Sequence, residues 1–511
     1  MMKLQRPSRT TLALLFFGAL AAPKAEAVTA ASCSAADVQT ALGAAANGTT
    51  VTIPAGDCDW GGAQVTRSAG VTIKGAGRSL TKIRRTAAVT LGDNYLLTFD
   101  CNNGLTVEIS DLTLIGNDDL QTEPQRLLDN DNGLALLNGC VDFKIHDIEI
   151  SKFSNAGLTI RGNSQRGVVY RSNFISNFKC QADPVDCLGY GVVVYGNGSP
   201  PALALGSRDA VFIEDDYFYD NRHGVASNYG SRYVARHNTF VSTQRTRNFA
   251  MVDAHGRQSP DSIGSRSWEI YGNVLKTDPP SMVADGIGLR GGDGVVFGNS
   301  VYKIPYVARL SNETCTGTYP LPDQIRAGYV WGNDWQPVPG YGDESIPVGA
   351  GCEAYLVEGR DFFRTARPGY SPYPYPHPLR GPDPNATDFY TVVPCRILDT
   401  RAIAGPLGAP ALASGEQRLL PIMSSACGIP ADARAVSINV TAILSAASGS
   451  LTLFPGDRAL PVTTNISFAI GNTRANNTVV GLALDGTETI RVKNNSLGTV
   501  ELVLDVNGYF K

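Results

Sequence analysis

Three short segments decide the fold: Arg236-His237-Asn238-Thr239-Phe240, Tyr271-Gly272-Asn273-Val274-Leu275 and Phe297-Gly298-Asn299-Ser300-Val301. In each, an Asn stands two residues before an apolar side chain. Two residues apart on a strand is the same face. Working outward, Leu112, Ile148, Ser172, Asp216, Asn238, Asn273 and Asn299 occupy equivalent positions, and Leu114, Ile150, Phe174, Phe218, Phe240, Leu275 and Val301 follow them. The intervals are 36, 24, 44, 22, 35 and 26 residues. That is the period of a solenoid, with loop insertions in the longer turns and the 44 read as two turns. An inward Asn at each bend can bond to the next, so the recurring Asn is scaffold.

A second set of strands lies between these bends: Gly157 to Arg161, Gly191 to Tyr195, Gly224 to Asn228, Met251 to His255, Gly286 to Arg290 and Tyr306 to Arg309. Alternation turns Leu158, Ile160, Val192, Val194, Val252, Ala254, Ile287 and Leu289 inward. The outward strand ends then form a column of Arg161, Tyr195, Asn228, His255, Arg290 and Arg309. Rungs about 4.8 Å apart would let neighbours in that column touch one ligand. The predicted fold is all-β: a parallel β-solenoid over 28–369.

Ser34 is placed to cap a helix over Ala35 to Ala46, with Asp37 in its first turn. Such a helix covers the open end of a solenoid. Residues 327–333 and 357–363 read as closing rungs. The proline-dense run within 370–388 reads as an extended linker, and His377 lies between two of its prolines. From 389 to 511 the pattern changes to alternating strands, among them Ala435 to Thr441, Gly449 to Phe454, Thr489 to Val492 and Val500 to Val506. These predict an antiparallel β-sandwich. It contains no His, which suits a binding or attachment module better than a second enzyme.

Residues 1–27 read as a secretory signal peptide. Lys3, Arg6 and Arg9 precede the apolar run Thr11 to Ala22, and Ala25-Glu26-Ala27 is a small-x-small cleavage site. No later apolar run is long enough to span a membrane. The chain is therefore expected to be secreted or held at the cell surface. Gly is abundant at 54 residues and only 18 % of residues are charged, as in a turn-rich β protein. After cleavage, 39 basic and 46 acidic residues leave a net charge of −7. Such a chain is a poor nucleic-acid binder. Locally, Arg222 to Val301 carries eight Arg and one Lys against five Asp and one Glu, a balance suited to an anionic ligand.

Ten cysteines behind a signal peptide point to disulfides. Their order suggests Cys33–Cys58, Cys101–Cys140, Cys180–Cys187, Cys315–Cys352 and Cys395–Cys427, although order alone leaves connectivity open. There is no zinc spacing.

The capped N-terminus, the Asn-bearing bends and the closing Gly359-Arg360-Asp361-Phe362-Phe363 and Tyr373-Pro374-Tyr375-Pro376-His377-Pro378-Leu379-Arg380 resemble secreted bacterial right-handed parallel β-helix proteins of the pectate-lyase-like superfamily. The resemblance covers roughly residues 33–380. It implies the fold more than the activity, because that superfamily holds lyases, hydrolases, tailspikes and inert adhesins. Pro394-Cys395-Arg396-Ile397-Leu398-Asp399-Thr400-Arg401 and Leu504-Asp505-Val506-Asn507-Gly508-Tyr509-Phe510 resemble a module common at the ends of secreted bacterial proteins.

The outward column suits β-elimination on a uronate-containing, anionic polysaccharide. That reaction needs the substrate carboxylate neutralised, a proton abstracted and the leaving oxygen protonated. The assignment is His255 as base, Arg290 and Arg161 as carboxylate clamps, Tyr195 or Tyr229 as acid, and Asp253 orienting His255. Asn228, Arg222, His223 and Arg309 join the substrate-binding set. A glycoside hydrolase needs two carboxylates, and the column offers Asp253 with Asp293 beyond it, so hydrolysis ranks third. The alternative from another class is a non-catalytic carbohydrate-binding or adhesive rod, attached through its C-terminal module. No cofactor is expected. Calcium needs clustered acidic ligands. Asp215-Asp216 lies at a bend with Asp216 inward, which leaves calcium open but unsupported.

Overall fold

The computed structural model describes residues 27–89, 94–117, 130–162, 164–178, 189–243, 250–280, 285–336, 338–339, 344–381 and 388–511. Nearly all of the predicted signal peptide, together with Cys180 and Cys187, lies outside the described residues. The chain divides into two compact units, 1–381 and 382–511.

The first unit is a parallel β-helix of three sheets. Its rungs repeat in one order. A strand of the first sheet, such as Arg232–Arg236, leads through a tight bend to the second sheet, Thr239–Ser242, and then through a longer connection to the third, Ala250–Ala254. Each strand pairs in parallel with its counterpart in the next rung. The first sheet runs from Val28–Thr29 to Phe362–Phe363, which pairs with Gly328–Trp331 as the closing rung. At the other end, the helix Ala35–Ala44 is capped by the Ser34 side chain, which accepts from the Asp37 N–H.

The tight bends carry the expected ladder. Ser172 N–H donates to Asp216, Asp216 N–H to Asn238, Asn238 N–H to Asn273, Asn273 N–H to Asn299, and Asn299 N–H to Asn333, at 2.7–3.0 Å. Asn238, Asn273 and Asn299 also turn their amide NH₂ to the next carbonyl oxygen of the ladder and to a carbonyl of the preceding rung. The backbone N–H groups and Asn amides that the bend would otherwise strand in the core are thereby bonded. One reading of the spacing is corrected. Asn173–Ile175 pairs directly with Tyr217–Tyr219, so the 44-residue interval is one rung with a long insertion, not two turns. Inside, Phe174, Phe218 and Phe240 stack with ring centroids 4.6–5.0 Å apart.

The proline-dense run is also corrected. Residues 370–381 pack along the first sheet instead of hanging free. The buried Arg236 guanidinium donates to Glu214, to the Tyr271 hydroxyl and to the carbonyls of Tyr373 and Pro374. Arg380 pairs with Glu214 and Asp215, and His377 N–H donates to Glu214. A run that looks like a spacer by composition thus supplies the partners of buried charges.

The second unit has two four-stranded antiparallel sheets. One contains Phe389–Asp399, Ala435–Ile443, Arg474–Gly481 and Glu501–Phe510, the other Gln417–Leu420, Gly449–Pro455, Ile466–Phe468 and Ile490–Asn494. They close on their own apolar core, as expected. Disulfides join Cys33–Cys58, Cys101–Cys140, Cys315–Cys352 and Cys395–Cys427. No described helix is long and apolar enough to cross a membrane.

Candidate active site

The third sheet has a local irregularity that sets the site. Its strands begin with an outward residue followed by Gly: Asn132-Gly133, Ala156-Gly157, Tyr190-Gly191, His223-Gly224 and Asp285-Gly286. The Gly faces inward. At Gly224 a Cβ would stand 2.6 Å from the Phe240 ring. Two successive inward residues shift the alternation, so each rung presents three outward positions. The first column contains Tyr190, His223, Ala250, Asp285 and Tyr306. The second contains Val193, Ala226, Asp253, Gly288 and Arg309. The third contains Arg161, Tyr195 and Asn228, and continues to His255 and Arg290.

This register moves Arg309. It faces Gly288 and stands in the column of Asp253, two residues short of the place expected beside Arg290. The Tyr306 strand carries the same two-residue inward step, which a strict alternation counts wrongly.

Asp253 is the hub, fully buried although its side chain leaves the strand on the outer face. Arg290 grips it in a fork, Nε to Oδ1 at 3.1 Å and Nη2 to Oδ2 at 2.6 Å. The third nitrogen of Arg290 spans Glu313 at 2.9 and 3.1 Å. Burial pushes the Asp253 carboxyl up, but Arg290, with His223 and His255 beside it, holds it well below the usual range. The Glu313 carboxyl, half-buried, is likewise lowered against its desolvation by His255 and Arg290.

His255 stands between the two carboxylates. Its Nε2 is 3.7 Å from Asp253 Oδ2 and its Nδ1 3.5 Å from Glu313 Oε2. Nδ1 makes no hydrogen bond, and the side chain is 11 % exposed. Its backbone is fixed on both sides, N–H to Ser227 and C=O from Ser265 N–H. His223 approaches Asp253 from the other side, Nε2 to Oδ2 at 4.0 Å. Burial, helped by Arg222, pushes its imidazole down to about 3, so it is neutral. Its Nδ1–H donates to the Ala250 carbonyl, leaving the Nε2 lone pair facing the cluster.

Three residues of the cluster were not singled out from the sequence. Asp285 is fully buried and receives Arg309 Nε at 3.0 Å. Burial still pushes its carboxyl up to about 7, against Arg309 and with help from the Asp253 charge. Tyr190 lies over His223, with ring centroids 5.9 Å apart, and its hydroxyl is 3.5 Å from Arg222 Nη1. Glu313 is the third. Asp285 and Tyr190 were passed over because the strands were started at the Gly; the outward residue before each Gly is the signal that finds them. Glu313 lies in a loop beyond the last strand of this sheet and has no such signal.

The remaining candidates form a second group. Tyr195 is two rungs from His255, roughly 10 Å by strand spacing. Its ring meets Tyr229 edge-on at 5.6 Å, and burial raises its phenol well above the ordinary value. Tyr195, Tyr229 and Arg161 line a cleft of about 220 Å³ together with Tyr190. Asn228 is buried between the groups, accepts from Tyr229 N–H and donates to Gln258 at 3.3 Å. Asp293 belongs to neither; it accepts the backbone N–H groups of Arg326 and Ala327. Asp216 is bound into the Asn ladder. Among the described residues no three His, Cys, Asp or Glu side chains are grouped so as to hold a metal ion.

No protein-family profile matches the chain, and no curated protein matches it. Solved structures do. An alginate lyase from Paenibacillus sp. str. FPU-7 is 15 % identical over 63 % of this chain and 98 % of its own, with a TM-score of 0.42. The catalytic unit of a GH87 alpha-1,3-glucanase from Streptomyces thermodiastaticus strain HF3-3 is 14 % identical over 63 % of this chain and 68 % of its own, TM-score 0.37. The Dettilon tailspike protein is 9 % identical over 93 % of this chain and 90 % of its own, TM-score 0.37. These are similarities of fold.

Proposed function

We propose that the protein is a secreted polysaccharide lyase that cleaves a uronate-containing chain by β-elimination on the outer face of the third sheet. One observation carries the reading: His255, a nearly buried imidazole, is held between Asp253 and Glu313 beside the forked Arg290. In the reaction His255 removes the proton on the carbon next to the carboxylate. The electron pair forms a carbon–carbon double bond as the glycosidic C–O bond breaks, and Tyr190 returns a proton to the departing oxygen. Arg290 and Arg309 stabilise the charge that builds on the substrate carboxylate. By raising the Asp285 carboxyl, burial weakens the negative charge facing Arg309, which favours an anionic guest.

The carboxylates argue against hydrolysis. A glycosidase needs two of them in contact with the bond and with water. Asp253 and Asp285 are fully buried beneath the cationic groups, and of the three only Glu313 reaches solvent. Their place suits positioning: they hold Arg290, His255 and Arg309 from below. The four disulfides among the described residues fit the oxidising setting that secretion implies.

The test is incubation with a panel of uronate polymers, following the ultraviolet absorbance of the conjugated unsaturated product. Absorbance should rise on at least one polymer and be lost in His255→Ala. New reducing ends without that absorbance would mean hydrolysis. Neither signal on any polymer, with the protein folded, would favour the non-catalytic rod.

A further inference from the structure

The cleft beside the cluster has a composition of its own. Its floor is small, Ala156, Thr159 and Val193, where Ala156 stands in the column that carries Tyr190 one rung on. Ala156 and Val193 pack with Ala226 as an apolar patch on the outside of the helix, flanked by Tyr190 and Tyr195. The walls are aromatic. Polar groups come from Arg161 and from the Asn132–Asn155 amide pair, joined at 2.8 Å. Among the described residues no carboxylate lines it. An apolar floor, aromatic walls and amide and guanidinium donors together fit a sugar ring, whose C–H face packs on tyrosine while its hydroxyl and carboxylate oxygens take the donors. At about 220 Å³ the cleft is smaller than the ~300–1,000 Å³ of drug-sized sites, and has room for one ring.

Tyr229 adds a second sign. It is 41 % exposed and holds a left-handed backbone, φ 55°, directly after the Asn228 strand. A large side chain at positive φ is uncommon. Here it sets the ring edge-on to Tyr195 at the mouth of the cleft. Tyr190 is shared, being a wall of the cleft and the ring over His223.

We infer that this cleft is the subsite for the sugar on the departing side of the scissile bond, in a uronate chain that runs along the β-helix. The inference rests on the proposed reading, because Tyr190 separates the cleft from the His255 cluster and is the group placed to protonate the leaving oxygen. Tyr195 stands two rungs from His255 and Arg161 three, roughly 10 and 14 Å by strand spacing. A substrate must therefore be long enough to reach both positions, and a uronate dimer is too short to use Arg161.

The experiment is calorimetric titration of saturated oligogalacturonates and oligoalginates, from dimer to hexamer, into the full chain carrying His255→Ala, so that no turnover intervenes. Affinity should climb steeply at the length that spans both groups. Arg161→Ala and Tyr229→Ala, added singly to that background at two exposed positions, should each remove about tenfold or more of that gain. Thermal melting checks that they fold, and Ala156→Leu, which fills the floor, gives a second route to the same loss. Affinity that does not change with length would overturn the subsite. So would folded Arg161→Ala and Tyr229→Ala proteins that bind like the background, or neutral cello-oligosaccharides binding as tightly as uronates. Should no polymer be cleaved while length-dependent binding through Tyr229 persists, the cleft stands as a sugar site, and the lyase reading falls together with the cleft's place on the departing side.

Discussion

The tight bend between the first and second sheets and the outer face of the third are built from the same rungs, yet they are opposites. At the bend, Asn238, Asn273 and Asn299 make the same bonds over and over, and each is almost fully buried. On the outer face, Tyr195, Asn228, His255 and Arg290 succeed one another in a single column with nothing repeated. A solenoid needs each bend to satisfy its backbone at every turn, so that position is fixed by folding. The outer face is free of that demand. Where charged and aromatic groups nevertheless gather on it and become buried, as around Asp253, packing of the core does not account for them.

The sharpest way to break this contrast is at the ladder. Asn273→Leu strands the Asn238 N–H and amide and the Ala235 carbonyl. Buried groups left unbonded cost about 1–3 kcal/mol each, so a loss of roughly 4 kcal/mol or more is expected from urea unfolding. A loss under 1 kcal/mol would show that the ladder is not what holds the bend.

His255→Ala should do the reverse. Turnover on the responsive uronate polymer falls by about 10²–10⁴, the usual contribution of a positioned base, and the melting temperature stays within a degree or two of the parent. Equal losses of activity and stability would return His255 to the scaffold.

Asp285→Asn sharpens the account of charge. Its folded carboxyl titrates near 7 against 3.8 ordinarily. The folded chain therefore keeps this proton longer than the unfolded one. Its contribution to stability is intact below about pH 4 and erodes as pH rises towards 7. Across the upper part of that window Asp285 becomes charged beside Arg309, so oligouronate affinity should weaken as pH passes through 7. In the Asn variant that step should be absent. A wild-type affinity that is flat from pH 6 to 8 would show that Asp285 does not titrate there.

The smallest effect is expected where the ladder itself is irregular. Asp216 takes an Asn position, and its buried Oδ2 has no hydrogen-bond partner. Burial raises its carboxyl well above 3.8, so the same sign applies: its contribution is full in acid and lost as pH rises. Asp216→Asn supplies the missing donor and should stabilise the protein by about 1 kcal/mol at neutral pH. The variant's advantage should disappear in acid.

The ladder was legible because its demand recurs. Asn238, Asn273 and Asn299 declare the rung, and Phe240, Leu275 and Val301 declare the inward face. The cluster was legible only in part. Asp253, His255 and Arg290 emerge from simple alternation at strand ends. Asp285 and Tyr190 do not, because an inward Gly lets two consecutive residues face the core and shifts what precedes it. The same shift misplaced Arg309 by two residues. Glu313 comes from a loop whose approach depends on tertiary packing, which no local pattern encodes.

The run from Tyr370 to Arg380 has a mechanical consequence. It leaves the closing strand Phe362–Phe363 and reaches back along the first sheet to Arg380, whose guanidinium lies 4.6 Å from the centre of the Tyr170 ring. That is six rung spacings, roughly 29 Å. A pull transmitted through residue 381 therefore loads the Arg380–Glu214 and Arg236 contacts in the middle of the rod before it reaches the last rung. Force that would peel a terminal strand off one bond at a time is instead spread over a buried ionic buckle.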